Sequence, residues 1–467
     1  MIARGSLYHH RLSIGAPLAG LLVAGWVRSG NEQLLLVLLA APVFAFALFR
    51  FFSEPEFAGF CNVEGTSRQL AWIRILACLS GFLLTICENL RGISEFPFGF
   101  ASRDGLFGFL ATLPTYRALL SDGRLLAALQ WATTVLLVFA MVGFKTRLTL
   151  PLAALGYFIV QGILRQYTYF FHSGLLTLYL LLLLPWTPCA DAWSIDNLLR
   201  RRRAGVEESS RRFLLFSVFA CFAVPAATYF FCGASKLANG GLEWFRPELI
   251  QHKFVRDAVN PIFLDYPWKL SIWLLQQDAP AVLYTALGAA VLAGEIAYPA
   301  VLFSRTARGL IPPFMILAHL GIVVFHHILF LDCILLQLMF WDVDRLKSGF
   351  KKETAAAPVS LKARDRQRKP GAMEFGHAWL CTLSVAATAL MVVWVFRIES
   401  YPVSGWQMYS DVWPAEPVLH VRMVAALEDG TSIIVPRRDY SPAEDCEITA
   451  AAAHVPRCCT LPPLRSR

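Results

Sequence analysis

The chain has 467 residues, of which 56% are hydrophobic and only 16% charged, and it carries a formal net charge of +9. A soluble chain would carry nearer a quarter charged residues, and here the deficit is concentrated in apolar runs of membrane-spanning length, about 20 residues for about 30 Å of hydrocarbon. The basic surplus lies in the loops between those runs, which argues against nucleic acid as a partner and fits the bias of Lys and Arg toward the cytoplasm.

Taken in chain order, residues 13–27 follow Arg4 and Arg11 as a signal peptide would. No small-x-small cleavage site follows, and a second apolar run starts at Gln33, so the segment reads as an uncleaved first span. Further apolar runs fall at 33–52, 70–90, 125–144, 148–163, 171–188, 213–234, 281–303, 309–326, 328–343 and 377–396. Several are short enough to be tilted, partial or re-entrant. The expected fold class is an all-α integral membrane protein, a polytopic bundle of about ten or eleven transmembrane helices.

The loops orient the bundle. Arg200 to Arg203 with Arg211 and Arg212 form one basic loop; Lys347, Lys351, Lys352, Lys362, Arg364, Arg366, Arg368 and Lys369 form another. Both should face the cytoplasm, as should Lys145 and Arg147. An even number of spans must separate the two loops, so 309–326 and 328–343 form a tight hairpin. The N-terminus then lies in the cytoplasm, and segments 91–124, 235–280 and 397–467 lie outside a cell (inner or plasma) membrane. By this division, 1–55 holds two N-terminal spans, 70–343 a membrane core, 344–376 a flexible basic linker, 377–396 the last span and 397–467 a small external tail. In that tail, Pro417–Leu427 and Thr431–Val435 flank Asp429-Gly430, the signal of a small external β-hairpin.

The eleven cysteines contain no Cys-x-x-Cys, and no metal site is expected. Cys78, Cys87, Cys221, Cys232, Cys333 and Cys381 lie in apolar runs and read as small buried hydrophobes. Cys446, Cys458 and Cys459 cluster in the tail, where an oxidising compartment would allow one disulfide of open pairing.

Ionisable groups within the membrane are costly, and each has an ordinary and a functional reading. Lys236 ends its span on the external side: it is either an interfacial lysine snorkelling to water or a desolvated base. His172, with Arg165 one loop away, is either part of an interfacial aromatic and polar belt or part of a site. The topology puts His172 and Lys236 on the same external side at the ends of consecutive spans, which favours a joint site. Glu88 and Asn89 end another span there and could line the same cavity. Glu295 lies deep in an apolar run and should face the bundle and meet a donor. His319 should sit mid-membrane in a polar core; His326 and His327 fall at the external turn, with Asp332 the nearby carboxylate. Arg74 lies near the cytoplasmic end, where a snorkelling side chain is expected.

These landmarks carry a resemblance. Residues 70–343 resemble the HTTM (horizontally transferred transmembrane) domain shared by vitamin K-dependent γ-carboxylases. Trp72-Ile73-Arg74 opens the first core span, and Gly143-Phe144-Lys145-Thr146-Arg147 is similar to a Gly-x-x-Thr-Arg turn. His172-Ser173 and Trp193-Ser194-Ile195-Asp196 resemble the His-Ser and Trp-Ser-Val-Asp elements. Gly233-x-x-Lys236-Leu237 followed by Trp244 resembles the Gly-x-x-Lys-Leu…Trp segment, and Gly294-Glu295 and His319 resemble the late Glu and His positions. The resemblance implies Lys236 as the base that deprotonates a vitamin K-like quinol and His172 as its support. Arg165, Glu88, Glu295, His319 and Trp244 would line the cavity. Oxygen attack on the quinol would generate a strong base that removes a glutamate γ-proton, carbon dioxide would trap the carbanion, and the pocket must exclude water.

The chain departs from the family in three places. Trp244 lies a few residues further from Lys236, Ser235 stands where carboxylases often carry a second lysine, and the large extramembrane domain that holds the protein substrate is absent. Two functions are therefore expected. One is a carboxylase-like membrane enzyme using a quinol or other lipid-soluble reductant. The other is a non-enzymatic scaffold, an immunity, export or assembly factor whose tail, with Trp406-Gln407-Met408-Tyr409, would meet a protein partner. The membrane bilayer and a lipid-soluble quinone are the other implied partners. A transporter is weaker still, because no paired broken helices are evident.

Overall fold

The computed structural model describes residues 32–53, 65–101, 105–167, 172–203, 211–259, 268–343, 384–404, 424–426 and 432–434. The expected span 13–27, the linker 344–376, the tail cysteines and the Asp429-Gly430 turn lie outside the described residues. The first helices in chain order are α1 (Glu32–Ser53), α2 (Ser67–Ile86), α3 (Gly105–Leu110), α4 (Pro114–Ser121), α5 (Gly123–Val142), α6 (Thr146–Gln166), α7 (Leu175–Leu183) and α8 (Ile195–Arg203). They are followed by α9 (Arg211–Gly240), α10 (Pro247–Val259), α11 (Leu270–Gln276), α12 (Ala281–Ala297), α13 (Arg305–His326), α14 (Leu331–Leu335) and α15 (Ser384–Val395).

The protein is an all-α, polytopic membrane bundle. Among the described residues six helices, α2, α5, α6, α9, α12 and α13, are long and apolar enough to cross a membrane. Shorter apolar helices occupy Pro42–Phe51, Leu175–Trp186, Leu331–Phe340 and Ser384–Val395. Their outward faces carry large apolar side chains such as Trp131, Leu148, Val282, Leu310 and Leu317, as lipid contact requires. Inside, α2 packs on α5 and α7, α5 on α6, and α9 on α12. A main core runs through these helices, and a smaller one of Trp244, Leu249, Ile250, Phe254 and Tyr284 lies beside α10 and α12.

Helix ends follow from local chemistry. The Thr66 hydroxyl accepts from the Gln69 N–H to start α2, Asp122 accepts from the N–H groups of Arg124 and Leu125 to start α5, and Ser304 accepts from Ala307 to start α13, each satisfying N–H groups that the helix leaves orphaned. α5 ends at Gly143 with φ 70°, and the Phe144 N–H closes back on the Phe139 carbonyl at 3.0 Å, a left-handed C-cap that glycine adopts without strain. A Cβ at Gly143 would also stand 2.4 Å from the Ser194 Cβ.

That close approach brings together three landmarks far apart in sequence. α6 has no cap of its own at Lys145, which sits at φ 45°. Instead the Asp196 carboxylate accepts from the Lys145 N–H at 2.8 Å and from the Thr146 N–H at 2.7 Å. The Arg74 guanidinium donates to the carbonyls of Cys189 (2.5 Å) and Trp193 (2.6 Å). Arg74 is 0% exposed, so the expected snorkelling is corrected: these carbonyls turn the side chain inward and take up its two terminal nitrogens, while Nε is left buried without a partner. The segments around Arg74, Gly143 and Asp196 thus form one structural node at the basic end. Asp196→Ala should cost about 1–2 kcal/mol of stability by uncapping α6, a loss that thermal unfolding of the purified protein would register; an unchanged midpoint would show that water caps α6 equally well.

The tail begins with β1 (Glu399–Ser400) paired to β2 (Val403–Ser404), and β3 (Val424–Ala426) pairs antiparallel with β4 (Ser432–Ile434), Ala425 opposite Ile433. Tyr401 docks on the bundle: its hydroxyl donates to the Phe158 carbonyl at 2.8 Å, and Tyr179 donates to the Pro402 carbonyl at 2.8 Å.

Candidate functional site

Lys236 lies on α9 and Glu295 on α12. Gly233 lets these helices approach, since a Cβ there would stand 3.0 Å from the Glu295 Cβ. The Lys236 ammonium donates to both Glu295 oxygens, at 2.7 and 2.9 Å, with the two side chains 5% and 9% exposed. The donor that the sequence demanded for Glu295 is therefore Lys236 itself. The turn after α9 folds Trp244 over the pair, with the Lys236 ammonium 5.6 Å from the indole centre.

A second buried lysine reaches the same ring. Lys253 of α10 lies 4.7 Å from the Trp244 centre and is close enough for Glu295 to feel its charge. No sequence signal points to this, because Lys253 falls in the segment 235–280, expected only to lie outside the membrane. Ser235, next to Lys236, accepts from the Trp394 indole N–H of α15 at 2.9 Å. Leu237 and Leu242, neighbours of Lys236 and Trp244 in the chain, are exposed apolar side chains.

His319 of α13 lies deeper. Its Nδ1 meets the Met315 carbonyl at 2.7 Å and its Nε2 meets the Tyr229 hydroxyl at 3.5 Å. A carbonyl only accepts, so Nδ1 carries the hydrogen and Nε2 is free to accept. Tyr229 is stacked on Tyr298 with ring centres 4.4 Å apart, and Gln337 bridges the two hydroxyls, donating to Tyr229 at 2.9 Å and accepting from Tyr298 at 2.5 Å. His319 is thus part of a hydrogen-bonded polar core within electrostatic reach of Lys236.

A second group gathers around the His172–Gly174 segment. The Gly174 N–H donates to Asp332 Oδ2 at 2.8 Å, the Arg165 guanidinium donates to the Ser173 carbonyl and to Gln161 Oε1 at 2.5 Å, and the Tyr157 hydroxyl donates to the Gly174 carbonyl at 3.2 Å. Glu88 lies within reach of the Arg165 charge, and Arg165 sits 5.1 Å over the Tyr401 ring. Asp332 Oδ1 is buried without a hydrogen-bond partner. Lys236 therefore meets Glu295 and Trp244 directly, with His319 within its electrostatic reach, while Arg165, Glu88 and Asp332 assemble with the His172 segment. Tyr229 lies between, within reach of both His319 and Asp332.

The carboxylate beside His326 is Asp257 and not Asp332, the neighbour expected from sequence: Asp257 Oδ2 meets His326 Nδ1 at 2.6 Å, and Arg256 holds Oδ1 at 2.7 Å. Burial alone would push the Asp257 carboxyl up, but His326 and Arg256 outweigh it and hold the group below the ordinary carboxylate range. Among the described residues no group of three or more His, Cys, Asp or Glu side chains is arranged to hold a metal ion. No family model, no curated protein and no solved structure matches the chain.

Proposed function

We propose that the protein is an HTTM-like membrane core of about ten or eleven spans that handles a quinol or another lipid-soluble reductant, as γ-carboxylases do. In this reading Lys236 is the general base, Glu295 its proton partner, and the basic loops face the cytoplasm, so the site lies in the outer half of the membrane and the tail with its hairpin outside. The observation that carries the reading is the buried Lys236–Glu295 pair covered by Trp244. An ion pair in apolar surroundings is expensive to keep charged, so passing one proton from lysine to carboxylate leaves a neutral amine and a neutral acid. That amine accepts a hydroxyl proton and becomes ammonium again. Lys253, on the other approach to Trp244, offsets the negative charge left on the oxygen.

The residues fit such a ligand: an indole face for a planar ring, two lysines for an oxyanion, and apolar neighbours facing outward toward lipid. The quinol would supply the ionisable hydroxyl and two electrons. His172, Arg165 and Glu88 would shape the adjoining end of the cavity. Carboxylation of a protein substrate is a weaker expectation, because one fold supports many chemistries.

The scaffold reading has its own observation. Both Glu295 oxygens are taken up by Lys236, as a purely structural lock would have them. A folded variant without the charges separates the two. Lys236→Met combined with Glu295→Leu should co-purify about tenfold less quinone than wild type from membrane extracts, the equivalent of one charge-assisted contact. Equal quinone, with equal growth of cells carrying either protein, would leave the scaffold.

A further inference from the structure

At the basic end of the bundle a groove of about 790 Å³ opens between α2, the end of α5 and α8. Its apolar wall is built by Ile75, Met141, Trp193 and Leu198, with Arg68 on its rim and Asn197 in its lining. Trp193 and Leu198 are exposed, as is Arg68, so the groove faces outward, toward the lipid and the membrane surface. Its volume is that of an ordinary small-molecule site.

Asn197 gives the groove its chemistry. It is only 7% exposed, yet its Oδ1 has no hydrogen-bond partner. An unsatisfied buried acceptor costs about 1–3 kcal/mol, and a donor supplied by a ligand removes that cost. Arg68 adds a cation suited to phosphate, and Lys145 and Arg147 stand exposed at the same end. Acceptor, cation and apolar trough are the complement of one membrane component: a phosphate, a donor-bearing headgroup and an acyl chain.

We propose that this groove is a binding site for a glycerophospholipid whose headgroup carries a hydrogen-bond donor beside its phosphate. The phosphate meets Arg68, the headgroup hydroxyl or ammonium donates to Asn197 Oδ1, and the acyl chain lies along Trp193, Met141 and Ile75. Phosphatidylglycerol and phosphatidylethanolamine have this chemistry; phosphatidylcholine, whose quaternary ammonium has no N–H, does not. The site lies at the opposite end of α2 from Glu88 and does not depend on the quinol reading.

The test uses the full chain in nanodiscs of phosphatidylcholine alone or mixed equally with phosphatidylglycerol or phosphatidylethanolamine. After extraction into mild detergent and washing, the retained lipid is identified by mass spectrometry. Wild type should hold about one donor-bearing phospholipid per chain, preferred about tenfold over phosphatidylcholine, the ratio one buried hydrogen bond confers. Asn197→Leu should erase the preference, and Arg68→Gln, at an exposed position, should lower retention severalfold. Phosphatidylcholine retained equally well, retention unchanged in both variants, or a quinone displaced from the groove by both substitutions would each overturn the proposal.

Discussion

Lys236→Met alone should destabilise the folded protein by about 3–5 kcal/mol, because it leaves the Glu295 carboxylate buried without its counter-charge. Lys236→Met with Glu295→Leu should fall within about 1–2 kcal/mol of wild type, since replacing a buried ion pair by apolar side chains of similar size is often neutral. The contrast follows from the geometry: both carboxylate oxygens rest on one ammonium, at 2.7 and 2.9 Å, in a place nearly closed to solvent. Thermal unfolding of the two variants in the same detergent measures the difference. A single variant as stable as the double would mean that Glu295 is already neutral or finds another partner, with Lys253 the first candidate. The same comparison protects the functional test, since loss of quinone in the single variant would be confounded with unfolding, whereas in the double variant it would not.

The positions of the helices were legible from apolar periodicity and length, and ten of the expected spans have helices in the corresponding stretches of chain. Pairings across the bundle were not. Glu295 plainly needed a donor, but nothing in a linear pattern says that the donor lies 59 residues earlier, on the neighbouring helix. Lys253 was passed over because it lies in the external segment 235–280, where a lysine ordinarily faces water, and here it packs on the Trp244 ring. Asp257 and His326, 69 residues apart, escaped because one lies in the external segment 235–280 and the other at the turn expected after 309–326, and no linear pattern pairs them. Arg165 reaches the segment that His172 begins: its guanidinium donates to the Ser173 carbonyl. The polar landmarks singled out in the sequence divide in two: Lys236 pairs with Glu295 beside Trp244, near His319, and Arg74, Gly143 and Asp196 join the ends of their segments.

Arg74→Met should cost about 2–4 kcal/mol, a large effect for a side chain that touches none of the candidate site. The loss comes mainly from the buried carbonyl of Cys189 and partly from the half-buried one of Trp193, which would be left without a donor at about 1–3 kcal/mol for a buried acceptor, reduced by the cost no longer incurred in burying a cation. Arg74→Lys should recover little: the two carbonyls are met by separate nitrogens of one rigid guanidinium fork, and an ammonium on a flexible stem cannot match that spacing. Asp196 lies within reach of the Arg74 charge and caps α6 from the same node. The Arg74→Met and Asp196→Ala losses should therefore not add; the double variant should fall short of their sum by about 0.5–1 kcal/mol, the coupling expected of groups in one network. Additive losses would show that α6 is capped independently of the arginine. They would also show that the three sequence landmarks at this end lie close together without acting together.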